Sequence, residues 1–262
     1  MNLFNPKTKT DEFHALDEHI KFMEEEHKYF VRNENYISCT TFIKEFFNPF
    51  DQIGISENCV RKKRPLISNE DLKIESAKLR QTWTQASNDG TKMHLTFENY
   101  YNFGTIVDTK EMKPFLVFAK NMELNGFLPY RSEWAVYDSL HRLAGTIDQL
   151  FYKKDDPNVL YMYDWKRSKN VTSYSYGKKG KILNFMLNDC NFVHYALQQN
   201  LYKYILETNY GKKVKEIYLF VVSPKTYKSS LIHLPDMQNE IKSMLIYKEI
   251  IDTADMFDTF DF

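Results

Sequence analysis

Residues 143–169 constrain the fold of this chain more than any other stretch. Leu143, Ala144 and Ile147 lead into Asp148, and the run Val159 to Tyr163 leads into Asp164, so both segments read as strands. Between them Lys153 to Asn158 carries Asp155, Asp156, Pro157 and Asn158, which is turn chemistry and predicts an antiparallel hairpin. Two carboxylates then arrive near one end of a sheet. Side chains alternate along a strand, so Asp164 and Lys166 face one way while Trp165 faces the other.

Two carboxylates and an ammonium suit phosphodiester hydrolysis, which needs hydroxide at neutral pH and relief of charge on the phosphorus oxygens. A divalent metal supplies both. Mg²⁺ and Mn²⁺ prefer carboxylate and carbonyl oxygens, usually taking one or two protein carboxylates. Asp148 and Asp164 fit that role, with the Trp165 carbonyl as a third ligand and Lys166 placed to hold or deprotonate the attacking water. Taken alone, an Asp-x-Lys on a strand is an ordinary exposed pair. The apolar strand before Asp164 and the second carboxylate on the preceding strand favour the catalytic reading. His94 and Glu98 are four apart and share a helix face, so His94 reads as a metal ligand and Glu98 as its orienting neighbour, or both as surface residues. Gln198 and Tyr202 are likewise one turn apart, on a helix predicted from Asn191 to Thr208.

These residues resemble a known family. The pattern Gly-x-Ile-Asp, turn, apolar strand, Asp-x-Lys is similar to the core of the PD-(D/E)XK nucleases, in the RecB/Cas4/lambda-exonuclease-like branch that also holds the mitochondrial genome maintenance exonucleases. Gly90 to His94 resembles that branch's G-x-x-x-H motif, Gln198 to Tyr202 its Q-x-x-x-Y motif, and Tyr36 to Ile43 its segment ahead of a helix. The resemblance spans residues 29–225. It implies a restriction-endonuclease-like α/β core, a histidine metal ligand at His94, and contacts from Gln198 and Tyr202 to active-site groups or DNA. Glu133, on the strand before the hairpin, reads equally as a support for the site and as a solvated residue.

Net charge is zero, yet basic runs stand out at Arg61 to Arg64, Lys166 to Lys169 and Lys178 to Lys181, against acid-rich Asp11 to Glu26 and Asp252 to Asp261. A local positive funnel can exist on a neutral protein. Arg167, Ser168 and Lys169 leave the proposed site directly, and Tyr174, Tyr176 and Lys178 add stacking rings and an ammonium suited to a single strand. Arg61 to Arg64 reads evenly as a contact or as a solvated loop.

With 262 residues and 43% hydrophobic content, one domain over residues 1–262 is expected. Residues 1–126 are mainly helical, 127–225 hold the catalytic core, and 226–262 add a strand and a helix. The fold class is α/β, a mixed central sheet with flanking helices. Helices are predicted at Asp11 to Lys28, Thr40 to Phe47, across residues 69–103 with a break near Ser87 to Gly90, at Met112 to Asn125 and at Asp236 to Asp255. Strands are predicted at 127–138, 142–153, 159–167, Glu216 to Val222 and Ser229 to His233. Met1 to Thr10 is polar and reads as loose. Cys39, Cys59 and Cys190 are too few for an iron–sulfur cluster, and none is expected. No membrane span or secretory signal is visible, which suggests a soluble intracellular protein.

The expected function is a Mg²⁺- or Mn²⁺-dependent DNA exonuclease acting at ends or on single strands in replication, recombination or repair. The alternatives are a structure-specific or viral endonuclease cutting DNA or RNA, and a catalytically silent nucleic-acid-binding protein.

Overall fold

The computed structural model describes residues 14–181 and 187–258; the polar stretch Met1 to Thr10 lies outside them. The elements run in chain order as strands β1 (Ile20–Met23), β2 (Lys28–Val31) and β3 (Glu34–Ser38), then helices α1 (Cys39–Lys44), α2 (Gln52–Lys63), α3 (Asn69–Phe103) and α4 (Met112–Leu124). Strands β4 (Phe127–Asp138), β5 (Leu143–Lys153) and β6 (Asp156–Arg167) follow, then α5 (Asn191–Asn209), β7 (Lys213–Val222), β8 (Ser229–His233) and α6 (Gln238–Asp258). The strands form one mixed eight-stranded sheet flanked by helices.

The hairpin expected between Asp148 and Asp164 is β5–β6, antiparallel from Gln149 opposite Tyr163 to Lys153 opposite Asp156. β4 covers one edge of β5 along its length, from Phe127 opposite Lys153 to Asp138 opposite Leu143. The other edge is shared. β6 takes its far half, and β3 pairs in parallel with Leu143 and Ala144. Between them the backbone from Gly145 to Asp148 has no strand on this edge among the described residues, because β6 leaves β5 after Tyr163 and continues against β7 alone. A crevice where neighbouring strands diverge is where open α/β sheets place ligands.

Alternation along β6 separates two cores. Leu160 and Met162 join α1, α5 and α6 through Phe42, Ile43, Ala196, Leu197, Ile205, Ile241 and Met244. Val159, Tyr161, Tyr163 and Trp165 face the other way, onto Phe97 of α3 and Phe115 and Phe118 of α4. That second core is largely aromatic: Phe97 and Phe115 stack at 3.9 Å, and Trp165 meets both edge-on at 5.7 Å. Trp165 and Phe115 are essentially inaccessible, which anchors the strand carrying Asp164 and Lys166.

Several local expectations are corrected. The described part of Asp11 to Lys28 is not a helix but a short 3₁₀ turn, Ala15–His19, followed by β1. Asp17 there is held by tertiary partners, accepting from the Trp134 indole at 2.8 Å and pairing with Arg131 at 2.6 Å. Helix α3 runs unbroken through Asn88-Asp89-Gly90. Nothing crowds Gly90, and Asp89 is tied to Arg167 at 3.3 Å, so tertiary contact overrides the turn signal. Helix α2 was not expected; Asp51 caps it by accepting from the Gly54 N–H at 2.9 Å. The β2–β3 turn centres on Arg32 and Asn33, both with positive φ. Cys39 and Cys190 are buried packing residues in the core beneath α5.

Candidate active site

The gap in β5 is filled by side chains from four elements. Asp148 lies on β5 and accepts at Oδ2 from the Trp165 N–H at 2.8 Å, a side chain replacing the missing strand partner. His94 of α3 places Nδ1 3.3 Å from the same oxygen, and its ring also meets the Trp165 backbone carbonyl. Asp164 accepts at Oδ1 from Gln199 Nε2 at 2.8 Å. Its Oδ2 sits 2.6 Å from Lys166 Nζ, an ion pair without hydrogen-bond alignment, so that buried oxygen has no hydrogen-bond partner among the described residues. Lys166 stands 4.9 Å over the Tyr195 ring.

Helix α5 closes the crevice. Gln198 Nε2 donates to Thr40 Oγ1 at 2.7 Å and to the Tyr202 hydroxyl at 3.2 Å, tying α5 to the start of α1. Tyr202 fills the space above Gly145, where an added Cβ would lie 2.6 Å from its ring. The glycine of the Gly-x-Ile-Asp pattern is therefore needed for close packing of α5.

Glu133 joins the group. It stands on β4 opposite Asp148, bracketed by Ser132 against Gln149 and Trp134 against Ile147. Ligand atoms of His94, Glu133 and Asp148 lie within 4.8 Å of one another, so the three are placed to hold a metal ion. Its backbone is left-handed at φ 47°, an uncommon state for a residue other than glycine. The sequence reading left Glu133 outside the primary set, although its cross-strand position follows from the hairpin register. Gln199, rather than Gln198, reaches Asp164; the spacing of Tyr195, Gln199 and Tyr202 along one helical face is the signal that finds it.

The ionisation pattern has a common cause. Burial, then the nearby Asp148, pushes the Glu133 carboxyl up to about 9. Burial raises Asp164 to about 6 against the opposing Lys166, and raises Asp148 as well. Burial, then Lys166, lowers His94 to about 4. Burial opposes the Lys166 charge, but Asp164 and Asp148 outweigh it and hold the ammonium above the usual lysine range. Three carboxyls face one ammonium, so the cluster lacks positive charge. Its hard oxygens and one imidazole nitrogen fit a divalent cation.

The remaining residues of interest spread outward. Glu98 lies one turn beyond His94 on α3 and accepts from Asn102 at 3.3 Å. Arg167 turns to the aromatic side, where Glu111 at 2.9 Å and Asp89 at 3.3 Å engage its guanidinium. The Ser168 hydroxyl donates to the Asn170 carbonyl, and Lys169 is exposed. Tyr174 and Tyr176 are exposed with ring centroids 4.7 Å apart, and exposed Lys178 follows. The Lys181 N–H bonds the Phe46 carbonyl, bringing this loop against the segment after α1.

Among the described residues no helix is long and apolar enough to cross a membrane. No protein-family model matches the chain, and no curated protein matches it. Among solved structures the chain is similar to the protein SSO0001, at 12% identity and TM-score 0.34 over 83% of this chain and 77% of that one. It is similar as well to a candidate exonuclease from Eubacterium rectale, at 14% identity and TM-score 0.30 over 82% of this chain and 77% of that one.

Proposed function

We propose that this protein is a divalent-metal-dependent nuclease, acting as a DNA exonuclease at ends or on single strands in replication, recombination or repair, with RNA as a second polymer to test. The observation that carries the reading is the convergence of His94, Glu133, Asp148, Asp164 and Lys166 around the stretch of β5 whose one edge is open.

His94, Glu133 and Asp148 would hold Mg²⁺ or Mn²⁺, with Asp164 and the Trp165 carbonyl as further ligands. Once bound, the ion supplies Lewis acidity toward the phosphoryl oxygens and makes water a better nucleophile. The chain's own groups do the rest. Gln199 fixes the Asp164 carboxyl through Oδ1, while Oδ2 stands 2.6 Å from Lys166 Nζ. The Trp165 N–H fixes Asp148 in the same way. Lys166, kept cationic by both aspartates, offsets charge on the scissile phosphate and orients the attacking water. A raised lysine pKa favours this role over proton abstraction. Gln198 and Tyr202 hold α5 over the crevice, while Lys169, Tyr174, Tyr176 and Lys178, in the segment between Lys166 and α5, would offer rings and ammonium groups to a strand.

The test is incubation with end-labelled single-stranded, duplex and flap DNA and with RNA, in Mg²⁺ or Mn²⁺ and with EDTA. Stepwise shortening that EDTA abolishes is the expected result. Internal cuts would assign an endonuclease, and binding without cleavage under every metal would assign a silent binding protein.

A further inference from the structure

The tip of the α2–α3 pair stands clear of the two buried clusters. Helix α2 packs on α3, and neither α2 nor α3 before Met93 enters the two buried clusters against the sheet. At the tip Arg61, Lys62, Lys63 and Arg64 are all exposed, and none makes an ion pair among the described residues; Arg61 has only a 3.2 Å hydrogen bond to Asn69. Complementing the C-terminal dipole of α2 accounts for one or two of these charges, not four. Beside them Leu66 is 100% exposed, an apolar side chain open to contact. Between tip and site, half-exposed Phe50 stacks obliquely on Trp83 at 5.8 Å.

The same helix links this tip to the catalytic group. From its cap at Ser68 to His94, α3 rises roughly 39 Å at about 1.5 Å per residue. That is the length of about 11 steps at ~3.4 Å per phosphate along one strand of a duplex.

We propose that the α2–α3 tip is a second polynucleotide-binding site, in which Arg61 to Arg64 take the phosphodiester backbone and Leu66 packs on a base or sugar face, holding a strand whose end lies in the His94–Asp148–Asp164 crevice. Ammonium and guanidinium groups bind phosphates without reading sequence, and apolar side chains beside them wedge against bases. This assignment rests on the nuclease reading only for what occupies the far end of the strand.

The test uses the full chain carrying Asp164→Asn, with fluorescent single-stranded DNA and RNA in two lengths, one too short to span α3 and one longer than the span. Against that parent, Arg61→Gln, Lys62→Gln, Lys63→Gln and Arg64→Gln are introduced together, since glutamine keeps helix propensity. The expected result is unchanged binding of the short strand and at least about tenfold weaker binding of the long one, with a salt slope shallower by up to about 3. Leu66→Ser is expected to weaken the long strand without altering the slope. Equal affinity and slope for the long strand would overturn the proposal. So would equal losses on both lengths, or a loss of binding to anionic phospholipid vesicles in place of strands. DNA and RNA series run side by side report which polymer the tip takes. If the unmodified chain cleaves nothing while the length-dependent loss is seen, the nuclease reading fails and the tip stands; if it cleaves and the loss is absent, the tip fails alone.

Discussion

Two buried clusters of histidine and carboxylate sit on the same β4–β5 pair and behave oppositely. At the end of β4, Asp138 accepts from His141 Nδ1, from the Leu140 N–H at 3.1 Å and from Asn209 at 3.2 Å, while His141 Nε2 reaches Glu249 of α6 at 3.2 Å. Burial there is outweighed by partners, so Asp138 is held below the usual carboxylate range and His141 above the usual imidazole range. In the crevice the shifts reverse, with Asp148, Asp164 and Glu133 up and His94 down. The first cluster is satisfied by the fold. The second is placed to hold a cation, and its residues are perturbed against their charged forms, as candidate functional sites are.

The sharpest test of this contrast is Asp164→Asn or Lys166→Ala. Cleavage is expected to fall at least about a thousandfold, roughly 4 kcal/mol of transition-state stabilisation, with the thermal midpoint unchanged or raised in the asparagine variant. Near-normal cleavage by either purified protein would break the assignment. At the other cluster the effects should swap: Asp138→Ala leaves His141 buried without its main partner and is expected to cost about 3 kcal/mol of stability. Cleavage per folded molecule should stay the same, and an active-site titration alongside denaturant unfolding reads both.

Metal should stabilise only the crevice. Mg²⁺ or Mn²⁺ at a hundred times its dissociation constant is expected to add about 2.7 kcal/mol to the folded state, and His94→Ala or Asp148→Asn should remove that gain. A midpoint shift of equal size in Asp148→Asn would move the metal elsewhere.

Glu133→Gly relieves a left-handed backbone and a like-charge neighbour, so a gain of about 1 kcal/mol in stability is expected together with weaker metal binding. Loss of stability would mean that the Glu133 side chain supports the sheet instead. The smallest effect is that of pH on the Asp138–His141 clasp. His141 has a raised folded pKa, so its contribution is full below the ordinary 6.5 and lost as pH rises through the folded value. Asp138 is lowered, so its contribution is full above the ordinary 3.8 and lost as pH falls through the folded value. Thermal midpoints should therefore decline as pH rises above 6.5, a fall to which Glu133, with its carboxyl pushed up to about 9, also contributes, and His141→Gln should remove only the His141 share.

The hairpin and the helix carrying Gln198 and Tyr202 were legible because periodicity is a local property, but the turn is tighter than Lys153 to Asn158, since Asp156, Pro157 and Asn158 already belong to β6 and Asp156 lies opposite Lys153. Alternation from Val159 to Arg167 assigned Asp164 and Lys166 to one face and Trp165 to the other, which the two cores bear out. Local signals failed where distant partners decide. Asp17 belongs to a turn because Trp134 and Arg131 claim it, and Asn88-Asp89-Gly90 stays helical within α3, with Asp89 tied to Arg167.

What the sequence determined by itself was the α/β class and the kinds of group available: two aspartates and a lysine at the ends of apolar strands, a histidine on a helix and a Gln-x-x-x-Tyr face. These follow from side-chain period and chemistry, which need no neighbours. Only the tertiary structure decided that β3 and β6 part along β5, that Glu133 stands across from Asp148, that Gln199 rather than Gln198 holds Asp164, and that Arg167 is spent on the aromatic side. Each of those depends on pairing between segments far apart in the chain, and a buried charge takes its ionisation from whatever that pairing brings beside it.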